Sequence, residues 1–248
     1  MQQVLLVTGG SRGIGAASAL LAARQGWAVA VNYTANAGAA GAVVAQIRAE
    51  GGSAIAVQAD VAQEEQVLSM FAEVDAKLGR LTGLVNNAGV VDVSSRVQDM
   101  GVARLRRMFD INVIGSMVCA REAVRRMSTA NGGSGGAIVN LSSAAARLGA
   151  PGQYVDYAAT KGAIDAFTIG LAKEVAAEGI RVNAVRPGLI ETEIHASGGL
   201  PDRVRDLAHL VPMQRGGTAQ EVAEAIVWLL SPAASYATMS LLEVSGGR

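Results

Sequence analysis

Cysteine and histidine are scarce in this chain. Its 248 residues include one cysteine and two histidines, and none of the three stands at a metal-ligand spacing, so a bound metal is not expected. One cysteine cannot form an internal disulfide. Because Cys119 lies in an apolar helical stretch, we predict a buried, unreactive thiol.

Net charge is absent as well, since 21 lysines and arginines balance 21 aspartates and glutamates. No overall field would attract nucleic acid or an anionic membrane surface. The chain has no run of about 18 apolar residues that could span a membrane. It opens on a strand-like run instead of a basic, apolar leader. We therefore expect a cytoplasmic protein.

Arginine is nevertheless concentrated on one long predicted helix. The residues are Arg104, Arg106, Arg107, Arg121, Arg125 and Arg126. A nucleic-acid surface is one interpretation, but no stacking aromatics interleave these arginines. The stripe is more typical of a solvated face or a subunit contact.

Aromatic residues make up only 4% of the chain, although half of the residues are hydrophobic. Apolar strands are predicted at 4–8, 28–32, 54–58, 84–86, 137–141, 181–185 and 241–244. Helices are predicted near 13–25, 36–50, 63–79, 103–129, 156–178 and 219–230. Uniformly apolar strands that alternate with helices indicate a parallel sheet covered on both faces. We predict a single Rossmann-type, doubly wound α/β domain over residues 1–248, with a seven-stranded parallel sheet.

Residues 191–216 have no clean period and mix glycine, proline, histidine and charge. Ligands of open α/β sheets bind beyond the carboxyl ends of the strands, and this segment follows the sixth strand there. We interpret it as a substrate lid. His195 and His209 lie within it as solvated or substrate-facing side chains. We favour the solvated interpretation and assign them no role.

Three glycines follow the first strand and open the first helix, at Gly9, Gly13 and Gly15. Backbone without Cβ atoms can approach a pyrophosphate, and the helix N-terminus offers free N–H groups. An ordinary strand-to-helix turn is the alternative interpretation of the same glycines.

Tyr157 and Lys161 lie four residues apart, so on a helix they share one face. A lysine ammonium beside a phenol stabilises the phenolate and should lower the tyrosine pKa from about 10 toward the range of an acid/base catalyst. This pair, together with a nucleotide-binding turn, predicts a hydride-transfer enzyme.

A longer set of motifs runs along the chain in the same order. It comprises Thr8-Gly9-Gly10-Ser11-Arg12-Gly13-Ile14-Gly15, Asp60-Val61, Asn86-Asn87-Ala88-Gly89, Asn112, Ser142-Ser143, Tyr157-x-x-x-Lys161 and Pro187-Gly188. Over essentially the whole chain, this set resembles the short-chain dehydrogenase/reductase family, and especially its bacterial glucose-dehydrogenase-like members.

The resemblance implies a catalytic group of Asn112, Ser143, Tyr157 and Lys161. Tyr157 would be the general acid/base, Ser143 would position the carbonyl, and the carbonyl of Asn112 would hold a water that links Lys161 to solvent. The chain carries one more residue before the tyrosine than the common pattern. Ser142 therefore stays open as the alternative to Ser143.

The resemblance also implies a nicotinamide cofactor. Its contacts would be Gly9, Ser11, Arg12, Gly13, Ile14, Gly15, Asn32, Tyr33, Asp60, Val61, Asn86, Ala88, Gly89, Tyr157, Lys161, Pro187, Gly188, Ile190 and Thr192. Asp60 would bond the adenine amino group, cap the following helix, or do both. The segment from Pro187 to Thr192 would hold the nicotinamide.

The end of the second strand bears on the choice of cofactor. NAD enzymes place a carboxylate there for the ribose 2′-hydroxyl, whereas this chain has Asn32 and Tyr33 followed by no acid. Arg12 can pair with a 2′-phosphate. We therefore favour NADP(H), with NAD(H) as the alternative.

The predicted function is hydride transfer between NADP(H) and a carbonyl or secondary alcohol, a small-molecule substrate. The alternatives are a sugar 1-dehydrogenase of the glucose type and a non-catalytic NADP-binding sensor or scaffold. Resemblance also implies a homotetramer. Met239 and Ser245 replace a glycine and an aspartate that the family often carries near its last strand, which bears on assembly.

Overall fold

A parallel sheet forms the centre of the protein, whose computed structural model describes residues 2–248 apart from the side chain of His195. The strands are β1 (Val4–Val7), β2 (Ala28–Tyr33), β3 (Ala54–Gln58), β4 (Gly83–Asn86), β5 (Gly136–Leu141), β6 (Ile180–Pro187), β7 (Ile190–Glu191), β8 (Gly217–Thr218) and β9 (Leu241–Val244). Seven of them pair in the order β3-β2-β1-β4-β5-β6-β9, and every pair is parallel. The strand order reverses between β1 and β4, which is where such sheets bind ligands.

Helices cover both faces of this sheet. They are α1 (Gly13–Arg24), α2 (Ala37–Ala49), α3 (Glu64–Leu78), α4 (Val102–Phe109), α5 (Ser116–Met127), α6 (Ala145–Leu148), α7 (Val155–Val175), α8 (Ile194–Ser197), α9 (Arg203–Leu207) and α10 (Ala219–Leu230). Successive strand residues point to opposite faces, so Leu5 and Val7 join one buried cluster while Val4 and Leu6 join the other. The predicted doubly wound fold is confirmed.

The helix predicted near 103–129 is present as one helical run over residues 102–127, but its middle is not α-helical. The chain passes from α4 into a π-helical segment, Asp110–Gly115, before α5 begins. A Cβ on Gly115 would lie 2.8 Å from the carbonyl oxygen of Val61, so the chain has glycine where the two backbones meet. The apolar residues of a single π-helical turn are spaced nearly as they would be in an α-helix. The π-helical segment is therefore not visible in the periodicity of the sequence.

Residues 191–216 are more regular than their sequence suggests. β7 and β8 pair as a small two-stranded sheet at the base of the segment, and α8 and α9 form its upper part. His209 is exposed, as expected of a solvated residue. The side chain of His195 falls outside the described residues.

The arginine stripe is largely paired with carboxylates of the same chain, while Arg107, Arg121 and Arg125 stay substantially exposed, as a solvated face requires. Glu122, whose side chain is 5% exposed, lies within 3.1 Å of Arg121, Arg125 and Arg126. Arg104 binds the buried Asp156 at 2.7 Å. Since these guanidinium groups already have carboxylate partners, the stripe offers little free charge to an external polyanion.

Cys119 is fully buried, and burial raises the pKa of its thiol to about 12. The predicted unreactive thiol is confirmed. Among the helices of residues 2–248, none combines the length and the apolar character needed to cross a membrane.

Met239 occupies the left-handed region, with φ of 65°, directly before the last sheet strand. That conformation costs an L residue other than glycine roughly 1–2 kcal/mol. The Met239 backbone N–H donates to the carbonyl of Val182 at 2.7 Å, and this hydrogen bond holds the turn. The missing glycine is therefore accommodated by local strain, and β9 still pairs with β6.

Candidate active site

A cavity of about 540 Å³ opens at the carboxyl ends of β4, β5 and β6. The sequence-predicted site residues that line it are Ile14, Gly89, Ser143, Tyr157, Lys161, Pro187, Gly188, Ile190 and Thr192, and the alternative serine Ser142 lines it as well. They come from five separate parts of the sequence. The parallel sheet brings them together because all of its strands end on the same edge.

Tyr157 lies in the first turn of α7 and Lys161 one turn later. The Lys161 Nζ stands 5.5 Å from the centre of the Tyr157 ring and donates to the carbonyl of Leu141, at the end of β5, at 2.5 Å. A buried ammonium needs such a partner. This hydrogen bond ties the catalytic face of α7 to the sheet edge.

Burial lowers the pKa of the Lys161 ammonium from 10.5 to about 8, and the charge of Asp165 opposes this shift. The side chain is only 4% exposed. At neutral pH the ammonium is therefore still protonated, but a modest rise in pH discharges it. The charge of Lys161 thus depends on the balance between its burial and the nearby carboxylate of Asp165.

The expectation that Lys161 lowers the pKa of Tyr157 is not met in the protein alone. Burial raises the pKa of the Tyr157 phenol, and a hydrogen bond with Ser143 opposes that rise. Desolvation disfavours the charged phenolate, and the Lys161 ammonium is directed at the Leu141 carbonyl. The phenol is consequently neutral at physiological pH, which makes it a proton donor.

The two serines differ in what their hydroxyls bind. Ser143 lies close enough to Tyr157 to lower the pKa of its phenol, and its hydroxyl accepts from the backbone N–H of Ala145 at 3.1 Å. Ser142 is 3% exposed and donates to the backbone carbonyl of Lys161 at 3.2 Å. This geometry favours Ser143 as the serine that meets a substrate carbonyl.

Asn112 lies in the π-helical segment and is buried. Its side chain accepts from the backbone N–H of Val90 at 2.8 Å and donates to the carbonyl of Val90 at 3.0 Å and to Thr160 Oγ1 at 3.2 Å. Asn112 thus clamps the loop after β4 to α7. Its own carbonyl accepts from Ser116 Oγ at 3.1 Å, and the water relay expected there stays a prediction.

The glycine turn fits a dinucleotide. A Cβ on Gly15 would lie 2.4 Å from the Gly9 carbonyl oxygen, and Gly9 and Gly13 adopt positive φ angles of 61° and 53°. The N-terminus of α1 has no side-chain cap and no acidic residue in its first turn. Its free N–H groups therefore favour an anion such as a pyrophosphate.

Two residues that the sequence reading gave no role hold this turn in place. Thr8 Oγ1 accepts from the backbone N–H groups of Asn87 and Ala88, each at 3.0 Å. Asn87 Nδ2 donates to the carbonyls of Thr8 and Gly9, both at 2.9 Å. They join the ends of β1 and β4. The quoted motif blocks contain both residues, so the signal was available.

Asn32 is not at the cofactor surface, which corrects its assignment as a ribose contact. Its side chain is 1% exposed. The Oδ1 atom accepts from the Gly9 backbone N–H at 3.1 Å, and Nδ2 donates to the Ala59 carbonyl at 3.0 Å. Asn32 shapes the glycine turn from behind. Beyond the half-buried Tyr33, Thr34 is the first exposed residue after β2.

Asn86 also points inward. Its Nδ2 donates to Asn140 Oδ1 at 2.9 Å and to the Ser116 carbonyl at 3.0 Å, so its side chain braces β4 against β5 and does not contact a ribose. Ala88 and Gly89 stay at the edge as expected, since a Cβ on Gly89 would lie 3.7 Å from Lys161 Nζ.

Asp60 caps a turn, and not the helix itself. Its Oδ1 accepts from the Ala62 backbone N–H at 3.0 Å, whereas α3 begins two residues later with Gln63 as its N-cap. Val61 is buried, with its carbonyl against Gly115. The half-buried carboxylate of Asp60 is thereby fixed at the end of β3.

The remaining predicted contacts surround the turn and the cavity mouth. Ser11 is half-buried and Arg12 is exposed, with Arg12 in extended backbone as the N-cap of α1. A Cβ on Gly13 would lie 3.3 Å from Thr192 Cγ2, so Thr192 faces the glycine turn. A Cβ on Gly188 would lie 2.7 Å from Ser245 Cα, which explains glycine where β6 approaches the end of β9.

A buried ion pair holds the start of α7, where Tyr157 lies. Asp156, next to Tyr157, has a fully buried side chain and binds Arg104 Nε at 2.7 Å. Arg104 Nη1 also donates to the carbonyl of Val93 at 2.7 Å. One guanidinium therefore links α4, the loop after β4 and the start of α7. Sequence reasoning missed this role because it grouped Arg104 with the stripe.

The cavity also carries two arginines that sequence reasoning did not select, Arg203 of α9 and Arg248. Both lie far along the chain from the motif blocks. No periodic or motif signal marks them, because α9 belongs to the segment with no clean pattern.

Comparison with known proteins finds relatives over nearly the whole chain. A family model described as enoyl-(acyl carrier protein) reductase matches residues 9–248. The chain is 56% identical over 245 residues to the uncharacterized oxidoreductase YgfF of Escherichia coli, covering 99% of each chain. It is 39% identical over 246 residues to a 3-oxoacyl-[acyl-carrier-protein] reductase of Synechocystis, covering 99% of this chain and 96% of that one.

Solved structures agree. A short-chain type dehydrogenase/reductase from Mycobacterium marinum superposes with a TM-score of 0.93 at 34% identity, covering 99% of this chain and 94% of that chain. A dehydrogenase/reductase from Sinorhizobium meliloti gives a TM-score of 0.91 at 33% identity, with the same coverage.

Substitution of the two serines should have different effects on kcat and on stability. Ser143→Ala removes the hydroxyl beside Tyr157 and should lower kcat by about 10²–10³-fold, as loss of one donor at a developing oxyanion does. Ser142→Ala removes only a buried structural bond, so it should cost about 1 kcal/mol of unfolding free energy with little change in kcat. Steady-state kinetics and chemical unfolding of both variants provide the measurement. The reverse ranking would assign the role to Ser142.

Proposed function

The chain belongs to the short-chain dehydrogenase/reductase family of oxidoreductases, and we propose that it reduces a carbonyl, or oxidises a secondary alcohol, with NADP(H). One observation carries the proposal: Ser143, Tyr157 and the buried Lys161 line the same cavity as Ile14 of the glycine turn. That arrangement places an acid, a carbonyl-binding hydroxyl and a nucleotide site together.

In the proposed reaction, Tyr157 donates its proton to the carbonyl oxygen of the substrate. Ser143 donates a hydrogen bond to the same oxygen and so orients the carbonyl and stabilises the charge that develops on it. Because burial keeps the phenol neutral, the resting site is prepared for reduction. Oxidation needs the phenolate and should therefore be favoured by higher pH.

The nicotinamide cofactor, when bound, supplies the hydride. Residues of the glycine turn would hold the pyrophosphate and Lys161 would bond the nicotinamide ribose. Pro187, Gly188, Ile190 and Thr192 line the cavity on the opposite side and would orient the ring. The protein contributes placement and electrostatics.

NADP(H) is the proposed cofactor because the surface beyond β2 holds no carboxylate that would repel a 2′-phosphate. Thr34, Ala35 and Asn36 follow the strand and are exposed. Arg12, exposed at the start of α1, can pair with the phosphate through a charge-assisted hydrogen bond.

We further propose that residues 191–216 act as a lid over the substrate. Ile194, Arg203, Leu207 and Leu210 of this segment line the cavity, and the hydroxyl of Tyr154 donates to the Gly198 carbonyl at 3.3 Å. The segment thus touches both the cavity and the residue that precedes α7. Substrate choice should depend on it.

Tyr157→Phe tests the proposed function, because it removes the proton donor but keeps the ring. Turnover should fall by about 10²–10⁴-fold, the range of acid/base catalysis, while cofactor affinity stays within a few-fold. A panel of ketones, sugars, quinones and acyl thioesters, followed by NADPH absorbance, provides the assay. Wild-type turnover in the variant would remove Tyr157 from the mechanism, and turnover of no panel member would favour a non-catalytic role.

Cofactor preference is tested at Thr34, since Asn32 faces inward. Thr34→Asp places a carboxylate at the expected 2′-phosphate position and should shift preference toward NADH, whereas the neutral control Thr34→Asn should not. Arg12→Ala should weaken NADPH binding by about 1.5–3 kcal/mol more than NADH binding. Titration of both cofactors into each protein measures these changes. Equal affinity of the wild type for NADH and NADPH would contradict the proposal.

Homotetramer assembly is proposed, with residues 103–129 and 156–178 forming one interface as paired long helices. Exposed apolar side chains occur on the first of these segments, at Phe109, Ile114 and Met117, and elsewhere at Trp228 and Met239. Two different two-fold interfaces would generate a tetramer with dihedral symmetry. Sedimentation equilibrium should show a tetramer, and Ile114→Glu should reduce it to dimers. A wild-type monomer at micromolar concentration would refute the assembly.

A further inference from the structure

Two guanidinium groups face the same cavity as the catalytic phenol. Arg203 and Arg248 both line it, together with Tyr157 and Lys161. No aspartate or glutamate contributes to this lining among the described residues. Among the side chains that line the cavity, cationic groups therefore outnumber carboxylates.

Arg203 has no carboxylate partner within ion-pair distance in the described part of the chain. Its Nη1 donates to the neutral Gln153 Oε1 at 2.8 Å, and its guanidinium lies 5.3 Å from the centre of the Tyr154 ring. Arg205, on the same short helix, is instead paired with Asp202 at 3.1 Å and Asp206 at 3.4 Å. The unpaired arginine is the one that faces the cavity.

The electrostatics of Arg203 agree with this geometry. Burial lowers the pKa of its guanidinium, Tyr154 raises it, and the charge of Arg248 lowers it further. A partly buried cation beside a second cation is an unfavourable arrangement unless an anion joins it. Gln153 and the Tyr154 ring hold the guanidinium in place without neutralising it, which leaves its charge available to a ligand.

The cavity limits the size of the ligand. Arg203 and Tyr157 both line it, together with Tyr154, against whose ring the guanidinium packs. An anion on Arg203 and a carbonyl at Tyr157 would therefore have to fit within the same volume of about 540 Å³. Apolar side chains, Leu148, Pro151, Leu207 and Leu210, line other parts of the cavity.

We propose that the substrate is a compact oxo compound with an acidic group, a carboxylate or a phosphate, which Arg203 binds while Tyr157 protonates the carbonyl. Arg248 adds a second positive charge. This inference rests on the proposed carbonyl reduction and names its substrate class. The planar guanidinium pairs with either anion by two parallel hydrogen bonds, so the two anions must be separated by experiment.

The test compares matched pairs of substrates. 3-Oxobutanoate, 4-oxopentanoate and 5-oxohexanoate are each assayed beside the methyl ester, and dihydroxyacetone phosphate is assayed beside dihydroxyacetone. At least one anionic member should exceed its neutral partner by about 10- to 100-fold in kcat/KM, the size expected of a charge-assisted hydrogen bond. Preference within the oxo acids or for the phosphate identifies the anion.

Variants of Arg203, with Arg205 as the control, show which residue causes the preference for anionic substrates. Arg203→Gln should abolish the ratio of anionic to neutral substrate, Arg203→Lys should keep part of it, and the control Arg205→Gln should leave it at the wild-type value. Thermal unfolding of each variant confirms that it is folded. Since the neutral partner is the internal reference, a general loss of activity does not change the ratio.

Calorimetric titration of the same anions into wild type and Arg203→Gln separates this inference from the proposed reaction. Binding that requires Arg203, without turnover, would support the anion site and contradict carbonyl reduction. Equal use of neutral and anionic partners, with no effect of Arg203→Gln, would overturn the anion site and leave the reaction intact. Absence of both binding and turnover for every anion would also overturn it.

Discussion

The site depends on a cation that is held away from water. Lys161 is almost fully buried, and its ammonium is stabilised by the Leu141 carbonyl at the end of β5. A buried charge with no partner would cost several kcal/mol, so the helix, the sheet edge and the lysine must keep their relative positions. Burial lowers the pKa of the ammonium to about 8, so desolvation opposes the charge that the Leu141 carbonyl stabilises.

The neighbouring phenol is governed by the same desolvation with the opposite consequence. Burial lowers the pKa of Lys161 and raises that of Tyr157, because in both cases the neutral form is favoured. Tyr157 thus rests as an acid. Its position is fixed from outside the cavity by the Arg104–Asp156 ion pair and from within by Ser143. The proposed chemistry therefore depends on where the Tyr157 phenol is held and on how strongly it holds its proton.

The strands and helices were predictable from the sequence because each strand is a short apolar run and helical patterns separate the strands. The side-chain directions at the strand ends were not. Asn32 and Asn86 are polar residues at the ends of buried strands, where a ligand contact was expected, yet both bond backbone or side-chain groups inside the protein. Whether a side chain at a strand end points to the ligand side or into the protein depends on how the strand is paired with its neighbours. That pairing register is set by the whole sheet and cannot be read from one strand.

The pairing of Tyr157 with Lys161 needed no register information, since the two residues are related by helical spacing alone, whereas Asn112 and Ser143 were assigned only through the family resemblance. The π-helical segment around Asn112 and the cavity position of Arg203 lay beyond sequence reasoning for another reason. Both depend on contacts between distant segments, Gly115 with Val61 and α9 with the start of α7. The Tyr157–Lys161 pair could thus be predicted from spacing within one helix. The position of Arg203, proposed to bind the substrate, depends on contacts between segments far apart in the sequence.

Ultraviolet difference titration of the Tyr157 phenol tests the central claim most directly. The chain has four tyrosines, and subtracting the titration of Tyr157→Phe from that of the wild type isolates the ionisation of one of them. The account predicts that this phenol ionises above the ordinary tyrosine pKa of about 10, because burial outweighs the hydrogen bond from Ser143. Ionisation well below that value in the protein alone would contradict it, since the resting group would then be a phenolate and not a proton donor.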